Sequence, residues 1–202
     1  MVLAHHLIFT AYGFWLPNDP RGSWSDFVGS WDLLRYGKAT KTTTRRSVAG
    51  VPHDRELREQ AKRALKNPPV QFSDAQIQAV GQGIAESARK GDLKIWACAV
   101  MSDHIHLVVA RHRCLAEQII NLTKGAITRK LLDLELHPFQ TLAGNHTRVP
   151  TCWAAKGWKV FLDRIEDIQR AIAYVNNNPI KEDLPAQLWD FVTPFDPNIE
   201  GV

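Results

Sequence analysis

Two histidines one residue apart, His104 and His106 in MSDHIHLVV, and a tyrosine four residues before an asparagine, Tyr174 and Asn178 in AIAYVNNNP, have types and spacings suited to chemistry. In a strand side chains alternate, so the two imidazoles share a face, with Cα atoms about 7 Å apart at ~3.3 Å per residue. From there both can converge on one divalent ion. The same pattern suits two solvent-facing or hydrogen-bonded strand histidines, and the pair alone lacks a third ligand. Residues four apart on a helix project from one side, so Tyr174 and Asn178 can act together, although Tyr174 also suits an amphipathic surface and the run Asn176, Asn177, Asn178 a C-terminal cap. A phenol near a metal-polarised phosphodiester can attack phosphorus, store the bond energy as a phosphotyrosine and leave a 3′ hydroxyl for rejoining, with no water consumed.

Holding these groups takes a strand and a helix. HHLIFTAYGFW is β-branched and aromatic and predicts a first strand that runs into the turn-rich LPNDPRGS. SDAQIQAVGQGIAESARKG predicts a helix with a capping box of Ser73 and Gln76, apolar positions Ile77, Val80, Ile84 and Ala88, and Gly91 as its stop. LKIWACAVMSDHIHLVVARH holds two apolar runs separated by Ser102 and Asp103, the pattern of adjacent antiparallel strands. The second strand places Ile105, Leu107 and Val109 on the core face and His104, His106 and Val108 on the other. A helix over 115–134 is expected to turn Leu115, Ile119, Leu122, Leu131 and Leu134 inward and Lys124, Arg129 and Lys130 outward. KGWKVFLD reads as a strand. RIEDIQRAIAYVNNNP reads as a helix ended by Pro179, with Ile165, Ile168, Ile172 and Val175 as its apolar stripe and Tyr174 well away among Asp167, Arg170, Asn178 and Lys181. The order β, α, β, β, α, β, α implies an α+β fold, an antiparallel sheet backed by helices. Residues 25–70 read as an insertion carrying a short helix, and 185–202 as a tail.

The chain has 202 residues, 45% of them hydrophobic, enough for one compact domain with an insertion. The net charge of +4 fits a polyanionic partner without establishing one. Cys98, Cys114 and Cys152 form no CxxC pair, which argues against a disulfide framework or zinc knuckle and for a reducing interior. No apolar run reaches the ~20 residues that span a bilayer, and MVLAHHLIF lacks the charge and apolar core of a signal peptide, so a soluble, unexported chain is expected. Arg21, Lys41, Arg45 and Arg46 suit DNA phosphates or a solvated face. Trp15, Trp24 and Trp31 suit stacking on unpaired bases, a contact of ~1 to 3 kcal/mol each, or local packing. His5 and His6 read as strand residues that pack or hydrogen bond. Asp103 reads as a turn cap, with a second reading as a carboxylate that holds a histidine.

DHIHLVV followed by AIAYVNNNP resembles the HUH-type single-tyrosine transposases, in particular the REP-associated tyrosine transposases and their relatives. The likeness extends to YGFWLPNDPRGSW, IINLTKGAITRKL, WAAKGWKVFLD and AQLWDFVTP, in the order such proteins show, and covers most of the chain. It implies a single domain with a ferredoxin-like antiparallel sheet, a Mg²⁺ or Mn²⁺ ion, and single-stranded or hairpin DNA that is nicked and rejoined through a 5′-phosphotyrosine. Carried over, His104 and His106 become metal ligands, Asn178 the polar third ligand, with Asn177 or a water as the alternatives in its place, and Tyr174 the nucleophile. Arg21, Lys124, Arg129, Arg170 and Lys181 are the candidate DNA contacts. After Asn-Pro the relatives often carry a basic residue and glycine, whereas this chain has IKEDLP, where Lys181 keeps one positive charge and Glu182 and Asp183 oppose a phosphate. The resemblance also implies a monomer or homodimer, no membrane, and a bacterial cytoplasm close to the nucleoid. Two other readings stand beside the strand transferase: a domesticated hairpin-binding protein that no longer cuts, and a metal-dependent nuclease in which water attacks. Loss of His104, His106 or Tyr174 would have pointed to binding alone, and all three are present.

Overall fold

The computed structural model describes residues 1–19, 31–38, 53–142 and 148–197. The chain forms two compact units, residues 1–10 with 71–202, and residues 11–70. The larger unit holds strands β1 (Ala4–Thr10), β2 (Ile95–Val100), β3 (His104–Ala110) and β4 (Trp158–Leu162). In the sheet their order is β2-β3-β1-β4 with every neighbouring pair antiparallel. With the helices between the strands this is the ferredoxin-like β-α-β-β-α-β arrangement, an α+β fold.

The smaller unit carries α1 (Arg55–Arg63), which packs on a 3-10 turn, Trp31–Tyr36, through Leu16, Leu33 and Ala61. Asp54 caps α1 by accepting a bond from the Leu57 amide. Asn18 donates to the Tyr36 carbonyl at 2.8 Å, and Phe14 and Trp15 pack edge to face. Arg21, Trp24, Lys41, Arg45 and Arg46 lie outside the described residues, as does the side chain of Trp31.

In the larger unit α2 (Asp74–Gly91) starts on the capping box of Ser73 and Gln76, and its left-handed terminal residue is Asp92, one beyond the expected Gly91. α2 packs on α3 (Ala116–Asp133) at very short range, because a Cβ on Gly83 would stand 2.5 Å from the Ile127 Cα. The Ser87 and Thr123 hydroxyls bond across the same contact at 3.0 Å. α3 is turned differently from the sequence expectation. Ile119, Ile120, Ala126, Ile127 and Leu131 are among its buried residues, whereas Leu115, Leu122 and Leu134 are exposed. Lys124, expected outward, is buried and lies against the Phe9 ring. A helix with leucines on several sides leaves its rotation to its neighbours, and here the carbonyls of Ala154 and Lys156 accept the Lys124 ammonium.

α4 (Ile165–Lys181) covers the opposite face of the sheet. Its Ile168, Ala171 and Val175 pack on Ala97, Ala99, Met101 and Val108, so the face of β3 that carries the histidines is a second core face, not a solvated one. The helix also runs through Pro179 to Lys181. A proline in the last turn forfeits only one bond, and its carbonyl accepts the Glu182 and Leu184 amides. The left-handed residue after the helix is Asp183, so the asparagine run is helical and is not the cap.

The tail covers the edge of β2. Gln187 bonds both the amide and the carbonyl of Val100, at 2.8 and 2.7 Å, and the Thr193 amide donates to the Ile95 carbonyl. Trp189 fills the notch left by Gly81 of α2. No helix among the described residues is long and apolar enough to cross a membrane, and the three cysteines are free thiols.

Candidate functional site

Register places the site. Across the β1–β3 pair Thr10 stands opposite His104, Ile8 opposite His106 and His6 opposite Val108. Residues opposite one another share a face, so His6, Thr10, His104 and His106 all lie on the side covered by α4. His5 points the other way, where its ring meets Phe161 edge to face.

His104 sits at the start of β3, and its Nδ1 is 2.7 Å from Asp103 Oδ1. A carboxylate only accepts, so the imidazole donates from Nδ1 and its lone pair is on Nε2. Asp103 thus does what its second reading held, orienting a histidine. His106 is buried, and its Nδ1 is 2.9 Å from Nε2 of His6. Burial lowers the pKa of His6 to about 4 and pushes His106 well below the usual imidazole range, helped there by the neighbouring His104 and His6 rings. Both rings are therefore neutral near pH 7.

Tyr174 reaches this cluster from α4. Its ring lies edge-on to His106 and His6, with centroids 5.6 and 5.9 Å apart, and is 45% exposed. The phenol thus stands at the border between a dry cluster and solvent. Lys181 places its ammonium 5.0 Å from the Tyr174 ring centre. Arg170, one turn before Tyr174, is exposed and ion-pairs with Asp167.

Asn178, one turn after Tyr174, is not in the exposed polar set where its helical position was read. It is buried at the sheet, continuing the line of Ile168, Ala171 and Val175, and its Nδ2 has no hydrogen-bond partner among the described residues. A polar residue on a buried stripe is invisible to hydrophobic periodicity.

Among the expected site residues, then, His104, His106, Tyr174 and Asn178 share the face under α4, with Arg170 and Lys181 flanking the tyrosine. Lys124 and Arg129 do not join them, because α3 lies on the other side of the sheet; Arg129 is exposed there, and burial lowers the pKa of Lys124 to about 8. Arg21 lies outside the described residues. His6 is the member that sequence reasoning did not assign to the site. The signal that could have found it is the β1–β3 register, since alternation alone cannot say which of His5 and His6 faces β3's histidines.

The family model described as Transposase IS200 like matches residues 63–178, a span from α1 to Asn178 that contains β2, β3 and both site motifs. No curated protein is significantly similar to the chain. Among solved structures, one titled as the REP-associated tyrosine transposase bound to a REP hairpin is 17% identical, with a TM-score of 0.45, over 65% of this chain and 81% of that one. A protein from Deinococcus radiodurans R1 described as a transposase is 14% identical, with a TM-score of 0.38, over 92% of this chain and 94% of that one.

Proposed function

Because the chain belongs to the IS200-like transposase family, we propose that it cuts and rejoins single-stranded DNA next to small hairpins, with Tyr174 as the nucleophile. The observation that carries this reading is the edge-on contact of the half-exposed Tyr174 ring with the buried His106 and His6. A phenol is thereby held where an unpaired strand can reach it and where buried imidazoles lie beside it.

The Tyr174 oxygen attacks the scissile phosphorus and loses its proton. The bond from phosphorus to the 3′ oxygen breaks, and that oxygen takes up a proton as the free 3′ hydroxyl. One phosphoester bond replaces another, so a 3′ hydroxyl can reverse the step and join a new strand. Lys181, beside the Tyr174 ring, supplies positive charge to the approaching phosphate. Arg170, one turn earlier, is the second cation on this side; its Nη2 meets Asp167, and a guanidinium has further N–H donors for a phosphate.

The residues also fit the Mg²⁺ or Mn²⁺ ion that the resemblance implies. His104 and His106 each meet a protein partner through Nδ1, so each would ligate through Nε2, and the Asn178 carboxamide, buried one turn after Tyr174, would offer its oxygen. Among the described residues no three His, Cys, Asp or Glu side chains form a metal-binding group, so the third protein donor in this reading is an amide oxygen. A bound ion would polarise the scissile phosphate and stabilise the charge that develops on it.

The test is incubation of the protein and Mg²⁺ or Mn²⁺ with labelled single-stranded DNA that carries the hairpins flanking its gene. Wild-type protein should give a denaturant-resistant adduct holding the 3′ side of the cut DNA by its 5′ phosphate, together with a fragment ending in a 3′ hydroxyl. Tyr174→Phe should give neither. Cleavage by that variant without an adduct would transfer the reaction to water, and cleavage of duplex equal to single strand would remove the proposed substrate.

A further inference from the structure

The bond between His6 of β1 and His106 of β3 is a buried polar contact whose proton direction the proposed chemistry leaves open. We propose that His6 is a positioning residue that fixes His106 in the tautomer able to bind a metal. This rests on the reading above, in which His106 is a ligand.

The two imidazoles stand 2.9 Å apart and share one proton, and either ring can supply it. If His106 donates from Nδ1, its Nε2 carries a lone pair directed away from His6. If His6 donates from Nε2, the remaining proton of His106 sits on Nε2, and the ring has no nitrogen to offer an ion. His104 meets no such ambiguity, because its Nδ1 partner is the Asp103 carboxylate, which only accepts. The two histidines are thus held through the same nitrogen by unlike partners, a carboxylate from the turn and an imidazole from the neighbouring strand. His6 must be an acceptor at Nε2, which places its own proton on Nδ1.

The sheet imposes this pairing. His106 faces Ile8, so His6 is its diagonal neighbour on the same face, at a distance that ring side chains span. The His6 ring also lies edge-on to Tyr174, so the same residue limits how the phenol packs against His106. Moving the β1 histidine by one residue, to the His5 position, would put it on the other face of the sheet.

The experiment uses the full chain without DNA. Nitrogen-15 NMR of the metal-free wild type should show His106 protonated at Nδ1 with an unprotonated Nε2. His6→Phe keeps a ring but removes the acceptor. It should shift His106 toward the Nε2-protonated form and weaken Mn²⁺ binding, measured by calorimetry, about 10- to 100-fold. His6→Gln offers an amide oxygen at a similar reach and should keep Mn²⁺ affinity within about threefold, a rescue that a purely structural role would not give. Wild-type His106 protonated at Nε2, or His6→Phe binding Mn²⁺ as wild type does, would overturn the inference and leave the Tyr174 chemistry standing. Wild type that binds no Mn²⁺ while His106 keeps its Nδ1 proton would instead remove the metal reading and sustain the orienting role of His6.

Discussion

The sheet has two faces, both dry, and they are built from different chemistry. Under α3 and α2, β1 and β3 present Leu7, Phe9, Ile105, Leu107 and Val109, and the two helices close to a backbone approach at Gly83. Under α4 the same strands present His6, Thr10 and His106 beside Val108, and the helix contributes Asn178 to the buried surface. The one buried cation on the first side, Lys124, is satisfied by two carbonyls. Each side also buries a side-chain nitrogen without a partner among the described residues, His5 Nδ1 on the first and Asn178 Nδ2 on the second. A buried polar group without a bond costs about 1 to 3 kcal/mol, so a chain selected for stability alone would place an apolar residue there. The first face is mainly apolar packing; the second carries the histidine cluster, with Tyr174 at its border with solvent.

The largest effect that separates the faces is expected from His106→Ala. In the proposed reading it removes a metal ligand, and loss of several kcal/mol of transition-state stabilisation lowers adduct formation by about three orders of magnitude. Hairpin DNA binding should persist, because phosphate contacts elsewhere supply most of the affinity. Single-turnover adduct kinetics and a gel-shift titration measure the two quantities. A variant that cleaves at the wild-type rate would mean that the polar face is a packing solution and nothing more.

The mirror experiment is Ile105→Ala, one residue away and on the other face, fully buried. Deleting that side chain should cost roughly 2 to 5 kcal/mol of stability, read from urea unfolding, while the rate per folded molecule stays the same. If cleavage falls as steeply as in His106→Ala with the protein still folded, the two faces are coupled and the division drawn here fails.

The division was only partly legible in the sequence. His104, His106 and Tyr174 could be singled out because strand alternation and helical spacing are local rules, and because their motifs stand in the order of a known family. The succession of strands and helices along the chain follows from the same local patterns. His6 was not legible, because its role depends on which residue of β3 stands beside it, and that register is a property of two strands, with His6 and His106 100 residues apart in the chain. Lys124 was misplaced for a related reason. Its partners are carbonyls of Ala154 and Lys156, some 30 residues on, and nothing in the helix itself announces them. Asn178 was placed by helical position with Tyr174, away from the apolar stripe, yet it lies on the buried line of α4. Non-local partners decided the first two, and the packing of α4 on the sheet the third.

Acid should sharpen the contrast. His6 has a folded pKa of about 4 against an ordinary value of 6.5, and His106 is shifted the same way. Between those pH values the unfolded chain binds protons that the folded chain refuses, so stability rises with pH across the window and falls as pH is lowered through it. For metal-free protein the loss from pH 6.5 to 4 should be on the order of a few kcal/mol, measured by urea unfolding at each pH. Ile105→Ala should lower that whole profile without changing its slope. His6→Phe should flatten it. An unchanged slope in His6→Phe would mean that other groups control acid unfolding.

The smallest effect is the stability change in Tyr174→Phe, and it decides how the loss of the adduct is interpreted. Tyr174 is 45% exposed on α4, and the contacts found for its side chain are made by the ring: edge-on to His6 and His106, and under the Lys181 ammonium. Phenylalanine keeps the ring and every one of those contacts and removes one oxygen at the border with solvent. A surface substitution of this kind falls within about 0.5 kcal/mol of neutral, which for a chain of this size is roughly 1 to 2 °C in Tm. Calorimetry on wild type and variant measures it directly. A drop of several degrees would show that the phenol oxygen helps to hold α4 on the sheet, and the missing adduct would then report a displaced helix. With Tm unchanged and hairpin binding intact, the missing adduct has a single remaining cause, the absence of the oxygen that attacks phosphorus.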